Sequence, residues 1–213
     1  MDFMGNDTGK QCYSDSAKEI KNAVEACGML NPTGTPHRPT SRGRIEVNVK
    51  ASIEGARANL YQSGLEHKWW PQAIKHWNTV TNVNRRSIFT HDTPWERRTG
   101  TPFKGKILPF GAKIAYRLPG DLKKENLKFE RPTRDALFLG WYVAPGAKFH
   151  GDYFVLDMEV LLEFPGQAAP RRVKEIYDPY SRSFPMADAR NHALKLKGEK
   201  AACQKEGIYD IDE

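Results

Sequence analysis

The sequence predicts an α+β protein in which helices come first and short strands follow. Up to about residue 92, apolar residues recur at spacings of three and four, which is typical of helices. After Thr93, glycines and prolines separate short β-prone runs. Helices followed by strands favour two structural units, so we place a boundary near residue 93.

Three helices are predicted in the first part. The first covers residues 16–27, and Gly28 stands where such a helix ends. The second covers residues 44–62, and the third covers residues 70–82 with Pro71 in its first turn. The second helix has an apolar stripe that we expect to face the core, formed by Ile45, Val49, Ile53, Ala56 and Leu60. The third helix has an inward-facing set formed by Trp70, Ala73, Ile74, Trp77 and Val80.

Four short strands are predicted in the second part, over residues 113–118, 136–143, 152–157 and 160–164. Strands with this glycine and proline punctuation favour a small sheet or barrel. Phe138, Leu139, Trp141 and Tyr142 are expected to pack inside it. From residue 165 to 213 the chain mixes charges, and we interpret it as a poorly ordered tail with room for one helix.

Composition excludes several classes of protein. The 39% hydrophobic and 28% charged residues suit a soluble globular chain. The longest apolar stretch covers residues 136–145 and is far shorter than the roughly 20 residues of a membrane span. The first ten residues lack the features of a signal peptide, so secretion is not expected. The three cysteines form no Cys-x-x-Cys pair, which argues against a disulfide framework or a cysteine zinc site.

Lysine and arginine exceed the acidic residues by 33 to 26, a net charge of +7. The basic residues are clustered, and tryptophans lie among the clusters. Such a surface could attract phosphate backbones, although a solvated charged face explains the charge equally well. The clusters are Arg38, Arg42, Arg44 and Lys50, then Arg85 and Arg86, Arg97 and Arg98, and Lys104 and Lys106.

Two carboxylates have settings that would suit a metal site. Asp7 precedes Thr-Gly, and Glu46 lies in the first turn of the second predicted helix. Both also have ordinary explanations, because Asp is common in turns and Glu at a helix start is stabilised by the helix dipole. The functional alternative is that their oxygens bind Mg²⁺ together.

Five segments in order resemble copia-type retrotransposon integrases. The segment Pro-His-Arg-Pro-Thr-Ser-Arg-Gly-Arg-Ile-Glu at residues 36–46 is similar to the one that carries the family's catalytic glutamate. His-Lys-Trp-Trp-Pro-Gln-Ala at residues 67–73 and Thr-Pro-Trp-Glu at residues 93–96 resemble two further motifs. Phe-Gly-Ala-Lys-Ile-Ala-Tyr at residues 110–116 and Phe-Leu-Gly-Trp-Tyr at residues 138–142 resemble its signature strands.

The resemblance implies that residues 1–92 are the second half of a ribonuclease-H-like core. Residues 93–164 would then be a linker and an SH3-like β-barrel domain, followed by the tail at 165–213. It assigns Asp7 and Glu46 as catalytic ligands of Mg²⁺, as in two-metal phosphodiester chemistry. It also implies DNA and other integrase chains as partners and a nuclear location. The basic residues of this region are the candidate nucleic-acid-binding residues, namely Arg38, Arg42, Arg44, Lys50 and Arg57.

Each assignment on the second helix has a simpler alternative. Lys50 follows Glu46 by four residues, so the two could form an exposed ion pair instead of serving DNA and metal. Trp69, Trp70 and Trp77 are better explained as core residues than as platforms for bases, since helical spacing accounts for two of them.

The chain also departs from the family pattern. The family's first aspartate belongs upstream of Asp7, Arg42 replaces an asparagine, and Lys10 and Gln11 interrupt a Gly-Gly-Glu pattern. We therefore expect the chain to be inactive alone. Three hypotheses follow: a fragment of an integrase, a non-catalytic nucleic-acid-binding remnant, and a protein-interaction scaffold.

Overall fold

The computed structural model describes residues 12, 17–31, 43–118, 131–179 and 181–205, without the side chains of Arg44 and residues 198–205. Among the described residues, helices come first along the chain and an antiparallel sheet follows. In chain order the helices are α1 (Lys18–Ala26), α2 (Gly43–Ser63), α3 (Trp70–Asn84), α4 (Pro94–Thr99), α5 (Met158–Glu163) and α6 (Pro185–Lys205), with a 3-10 turn at His67–Trp69. The strands are β1 (Lys113–Arg117), β2 (Thr133–Ala144), β3 (Lys148–Asp157), β4 (Arg171–Val173) and β5 (Ile176–Tyr177).

The α+β prediction is confirmed, with the three predicted helices found as α1 to α3 and three predicted strands as β1 to β3. The fourth predicted strand is wrong, because residues 160–164 mostly belong to α5. Its start is fixed by Asp157, whose Oδ1 accepts hydrogen bonds from the backbone N–H groups of Glu159 and Val160 at 3.0 and 3.3 Å. This N-cap satisfies two backbone N–H groups, which in a strand would need acceptors on a neighbouring strand.

The predicted barrel is also wrong, because the described strands form an open five-stranded antiparallel sheet. Its order is β4-β3-β2-β1-β5. The edge strand β4 has three residues and pairs with β3, and the edge strand β5 has two residues and pairs with β1. Both edges come from the segment interpreted as a poorly ordered tail with room for one helix. The helix is found as α6, but that interpretation is wrong at β4 and β5, which are ordered parts of the sheet.

Both faces of the sheet are buried, which places hydrophobic cores on two sides. Phe138 faces one core, while its neighbours Leu137 and Leu139 face the other. A register shift at Gly140 turns Trp141 to the same side as Phe138. The second core includes Ala56, Leu60, Trp69 and Ala73 from the helical part. The helices therefore share a core with the sheet, while the boundary at residue 93 and the ribonuclease-H-like core stay predictions.

The predicted stripe of α2 is buried only in its second half. Ala56 and Leu60 are buried, but Ile45, Val49 and Ile53 are 49, 52 and 42% exposed. The reason is that α3 meets the second half of α2, where Asn59 Nδ2 donates to the backbone oxygen of Ala73 at 3.1 Å.

The tryptophan prediction needs one correction. Trp69 is buried and Trp77 half-buried, but Trp70 is 59% exposed. The 3-10 turn before α3 directs Trp69 inward, which leaves its neighbour outside.

In the parts of the chain that the structure covers, no helix has both the length and the apolarity needed to cross a bilayer.

Candidate nucleic-acid interface

The predicted metal site is only partly within the described residues. Glu46 is exposed in the first turn of α2, and Asp7 lies outside the described residues. In the described ranges, no three His, Cys, Asp or Glu side chains are grouped so that they could hold a metal ion. A divalent ion such as Mg²⁺ needs several oxygen ligands, and Glu46 alone does not supply them. The assignment of Asp7, Glu46 and Mg²⁺ stays a prediction.

Helix α2 presents two of the predicted nucleic-acid-binding cations. Lys50 and Arg57 are exposed and lie about two turns apart, hence on one face of the helix. Lys50 Nζ pairs with Glu54 Oε1 at 3.8 Å rather than with Glu46. Both partners are more than half exposed, so this pair contributes little to stability. Arg38 and Arg42 lie outside the described residues, as does the side chain of Arg44.

A second set of cations surrounds the connection between α3 and α4. Arg85 forms the C-cap of α3, and Arg86 follows it. Arg86 Nη1 donates to the backbone oxygen of His91 at 2.9 Å, which ties this arginine to the connection. Arg97 and Arg98 occupy the last turn of α4. All four arginines are exposed, so their charges face solvent from a short, defined stretch of chain.

A capping box fixes the start of α4. Thr93 Oγ1 accepts from the backbone N–H of Glu96 at 3.1 Å, and Glu96 Oε2 accepts from the Thr93 N–H at 2.8 Å. The backbone hydrogen bond from Thr93 lowers the pKa of Glu96, followed by the bond with the Thr93 side chain. The nearby Arg86 charge acts in the same direction. The carboxylate is therefore committed to the cap.

Replacing Thr93 by Ala should destabilise the protein by about 1 kcal/mol, because the N-cap hydroxyl is lost. Thr93→Ser should restore most of this stability, since serine keeps the acceptor. Urea unfolding of the three proteins measures the difference. Equal stability of Thr93→Ala and wild type would show that the box does not hold α4.

His76 anchors α3 to the rest of the fold. Its Nδ1 lies 3.2 Å from Asn59 Nδ2 of α2, and its Nε2 lies 2.9 Å from the backbone oxygen of Leu108. The Asn59 amide can only donate through Nδ2, so Nδ1 accepts and Nε2–H donates to Leu108. The imidazole also stacks on Trp141 of β2, with centroids 5.1 Å apart and planes 23° apart.

Burial lowers the pKa of His76 to about 4, against the opposing effect of the Leu108 hydrogen bond. The residue is therefore neutral near pH 7, which its two hydrogen bonds require. Sequence patterns alone assign no role to His76. Its position three residues after Ala73, on the buried side of α3, was the available signal for burial, but the partners come from distant segments.

No protein-family model matches this chain, and no curated protein matches it. Among solved structures, one match is a chain from the CryoEM structure of simian T-cell lymphotropic virus intasome in complex with PP2A regulatory subunit B56 gamma. Sequence identity is 14% and the TM-score is 0.36. The match covers 81% of this chain and 58% of that chain. So low a TM-score does not establish a common fold, and the match assigns this chain no activity.

Proposed function

We propose that this chain binds nucleic acid and is a fragment of a copia-type integrase without activity of its own. The observation that carries the binding is the set of exposed arginines at the connection between α3 and α4. Arg85 and Arg97 make no ion pair with another described residue, so their guanidinium groups can contact phosphate oxygens. Guanidinium suits this task because its planar fork matches phosphate geometry.

The integrase part of the proposal is supported by the order of the five motifs and by what they do in the fold. Trp69 and Ala73 are buried where α3 begins, and Thr93 caps α4. Phe110, just before β1, and Phe138, within β2, are fully buried. The motifs thus hold the framework together, which explains why they would persist in a chain that had lost its chemistry. DNA integration and Mg²⁺-dependent strand transfer belong, in this proposal, to an intact parent.

A second candidate function is a protein-interaction scaffold, favoured by the first half of α2. Its apolar residues Ile45, Val47, Val49 and Ile53 are 42 to 66% exposed. Ile45, Val49 and Ile53 recur every four residues and therefore lie along one side of the helix. Exposed apolar side chains grouped in this way can mark interaction sites. Other integrase chains are the partners that the family resemblance would supply.

DNA binding should weaken steeply with salt, with a slope in a log–log plot of several units. Each phosphate contacted in a duplex contributes about −0.9 to that slope. Arg85→Gln/Arg97→Gln should make the slope shallower by about two units, since two phosphate contacts are lost. The matched control is Lys174→Gln/Arg182→Gln, which removes the same charge from exposed positions elsewhere. Fluorescence anisotropy over a salt series measures both slopes, and an equal reduction in both variants would mean that only net charge matters.

The effect of Mg²⁺ on DNA binding distinguishes an integrase fragment with a metal site from a remnant that binds DNA through charge alone. The same titrations with and without Mg²⁺ should be made beside Asp7→Asn/Glu46→Gln. A gain in affinity with Mg²⁺ that the double variant loses would support both carboxylates as ligands. Binding that ignores Mg²⁺ and these substitutions would favour the remnant. No binding at low salt would contradict both nucleic-acid functions and leave the scaffold.

A further inference from the structure

The turn between α3 and α4 exposes the two most solvent-accessible large apolar side chains of the described residues. Ile88 is 86% exposed and Phe89 is 92% exposed. By comparison, the exposed aromatic ring of Tyr61 is covered in part by Arg190, whose guanidinium carbon lies 4.8 Å from its centroid. Phe89 takes part in no ring contact with another described residue. Both flat faces of its ring are open to solvent.

The exposure follows from a turn that is held closed by hydrogen bonds. The Ser87 N–H donates to the Asp92 oxygen and the His91 N–H donates to the Ser87 oxygen, both at 3.0 Å. Ser87 Oγ accepts from the N–H groups of Phe89 and Thr90 at 3.3 and 3.4 Å. His91 adopts a φ of 58°, a conformation that non-glycine residues rarely adopt. The turn therefore presents Ile88 and Phe89 at a defined tip.

The stretch of chain that carries the tip has a net positive charge. Four arginines and two carboxylates lie between residues 85 and 98, and one of those carboxylates, Glu96, is committed to the α4 cap. Arg86 lies at the base of the turn, where it donates to His91 and influences the pKa of Glu96. An apolar tip beside arginines complements a polyanion that also has flat apolar groups. Nucleic acid with unpaired bases has both features, since aromatic rings stack on bases while cations contact the backbone.

We propose that Phe89 stacks on an unpaired base of a bound nucleic acid while Arg85, Arg86 and Arg97 contact its phosphates. This inference rests on the proposed nucleic-acid binding and adds to it a preference for single-stranded or locally unpaired regions. Ile88 supports the same contact as an apolar wedge beside the ring. A wedge of this kind can also enter a duplex step that is already weakened.

The test compares a fluorescein-labelled oligothymidylate with a duplex of the same length. Phe89→Ala and Phe89→Leu should each lower affinity for the single strand about tenfold, because one stacked base is lost. Phe89→Trp should keep or raise that affinity. The salt slope should be unchanged in all three, since no charge is removed. The matched control is Phe164→Ala, which removes a Phe that is 54% exposed after α5, and it should bind as wild type does.

Each other outcome overturns the inference in a distinguishable way. If wild type binds with a steep salt slope and Phe89→Ala binds equally well, the stacking is wrong and the proposed nucleic-acid binding stands. If wild type binds neither the single strand nor the duplex at low salt, the stacking and the proposed nucleic-acid binding are both wrong. If Phe89→Leu keeps the wild-type affinity for the single strand, the proposed stacking of an aromatic ring on a base is wrong. If Phe89→Ala loses binding to phosphatidylserine vesicles but not to DNA, the tip contacts membranes instead. Thermal unfolding of each variant checks that the fold is retained.

Discussion

Acidification from pH 7 to pH 5 should destabilise the protein by about 2 kcal/mol through His76, and by about 3 kcal/mol at pH 4. In the folded protein, burial lowers the pKa of this imidazole to about 4, whereas its ordinary value is 6.5. As the pH falls below 6.5, the unfolded chain takes up a proton that the folded chain does not. Stability is therefore complete above pH 6.5 and is lost progressively between pH 6.5 and 4.

The measurement is urea unfolding at several pH values between 7 and 5, before most carboxylates titrate. His76→Gln has no titrating imidazole, so its stability should change much less over this range, even though it is less stable at pH 7. His150→Gln is the matched control, since His150 is exposed, and it should follow wild type. If wild type and His76→Gln lose the same stability between pH 7 and 5, His76 is not the group responsible.

Protonation of His76 should also affect the candidate interface, because this residue helps to position α3. A second proton on the ring would leave Nδ1 without a lone pair to accept from Asn59. The helix that carries His76 also carries Arg85 at its end, and the turn with Phe89 follows directly. Loss of the His76 hydrogen bonds would therefore loosen the base of that turn without changing the charge of the exposed arginines.

Sequence patterns predict those structural features that depend on residues close together in the chain. Helices α2 and α3 follow from apolar spacing. Helix α4 was not among the predicted helices, although Thr93 with Glu96 three residues later is a local pattern that indicates a helix start. The helix α5 was missed because its apolar residues also suit a strand, and the cap at Asp157 outweighed that tendency. Short apolar runs are ambiguous in this way.

Features that depend on contacts between residues far apart in the sequence could not be predicted. The sequence does not show that α3 covers only the second half of α2, so Ile45 and Val49 were expected in the core. It does not show that Leu108 accepts from His76 across 32 positions. For the candidate site, basic clusters near Arg85 and Arg97 could be seen in the sequence. The exposure of Phe89 could not, because its turn is defined by the backbone conformation of His91.

Gly111→Ala should destabilise the protein by about 3 kcal/mol, since two separate costs add. Gly111 adopts a φ of +72°, where an L-residue is unfavourable by about 1 to 2 kcal/mol. A Cβ at this position would also collide with Ser63 Cβ. Ser63 cannot easily move away, because it is fully buried at the end of α2 and its Oγ bonds both Leu60 and Leu65.

The matched control is Gly100→Ala. Gly100 has the same φ of +72°, but a Cβ there meets no atom within 4 Å. Its cost should therefore be the backbone term alone, about 1 kcal/mol. The difference between the two variants, measured by urea unfolding, isolates the collision with Ser63. If Gly111→Ala is no more destabilising than Gly100→Ala, the end of α2 does not pack this closely against the turn that precedes β1.

A double-mutant cycle tests the same contact from the other side. Ser63→Gly removes the Cβ that the new methyl group would meet, at the cost of the two hydrogen bonds of Ser63. In the Gly111→Ala background this second substitution should cost less than in wild type, with a coupling of about 1 to 2 kcal/mol. Additive costs would mean that the two residues are not in contact. Coupling would show that close packing at Gly111, whose N–H donates to the Phe138 oxygen at 2.7 Å, joins the helical part to the sheet.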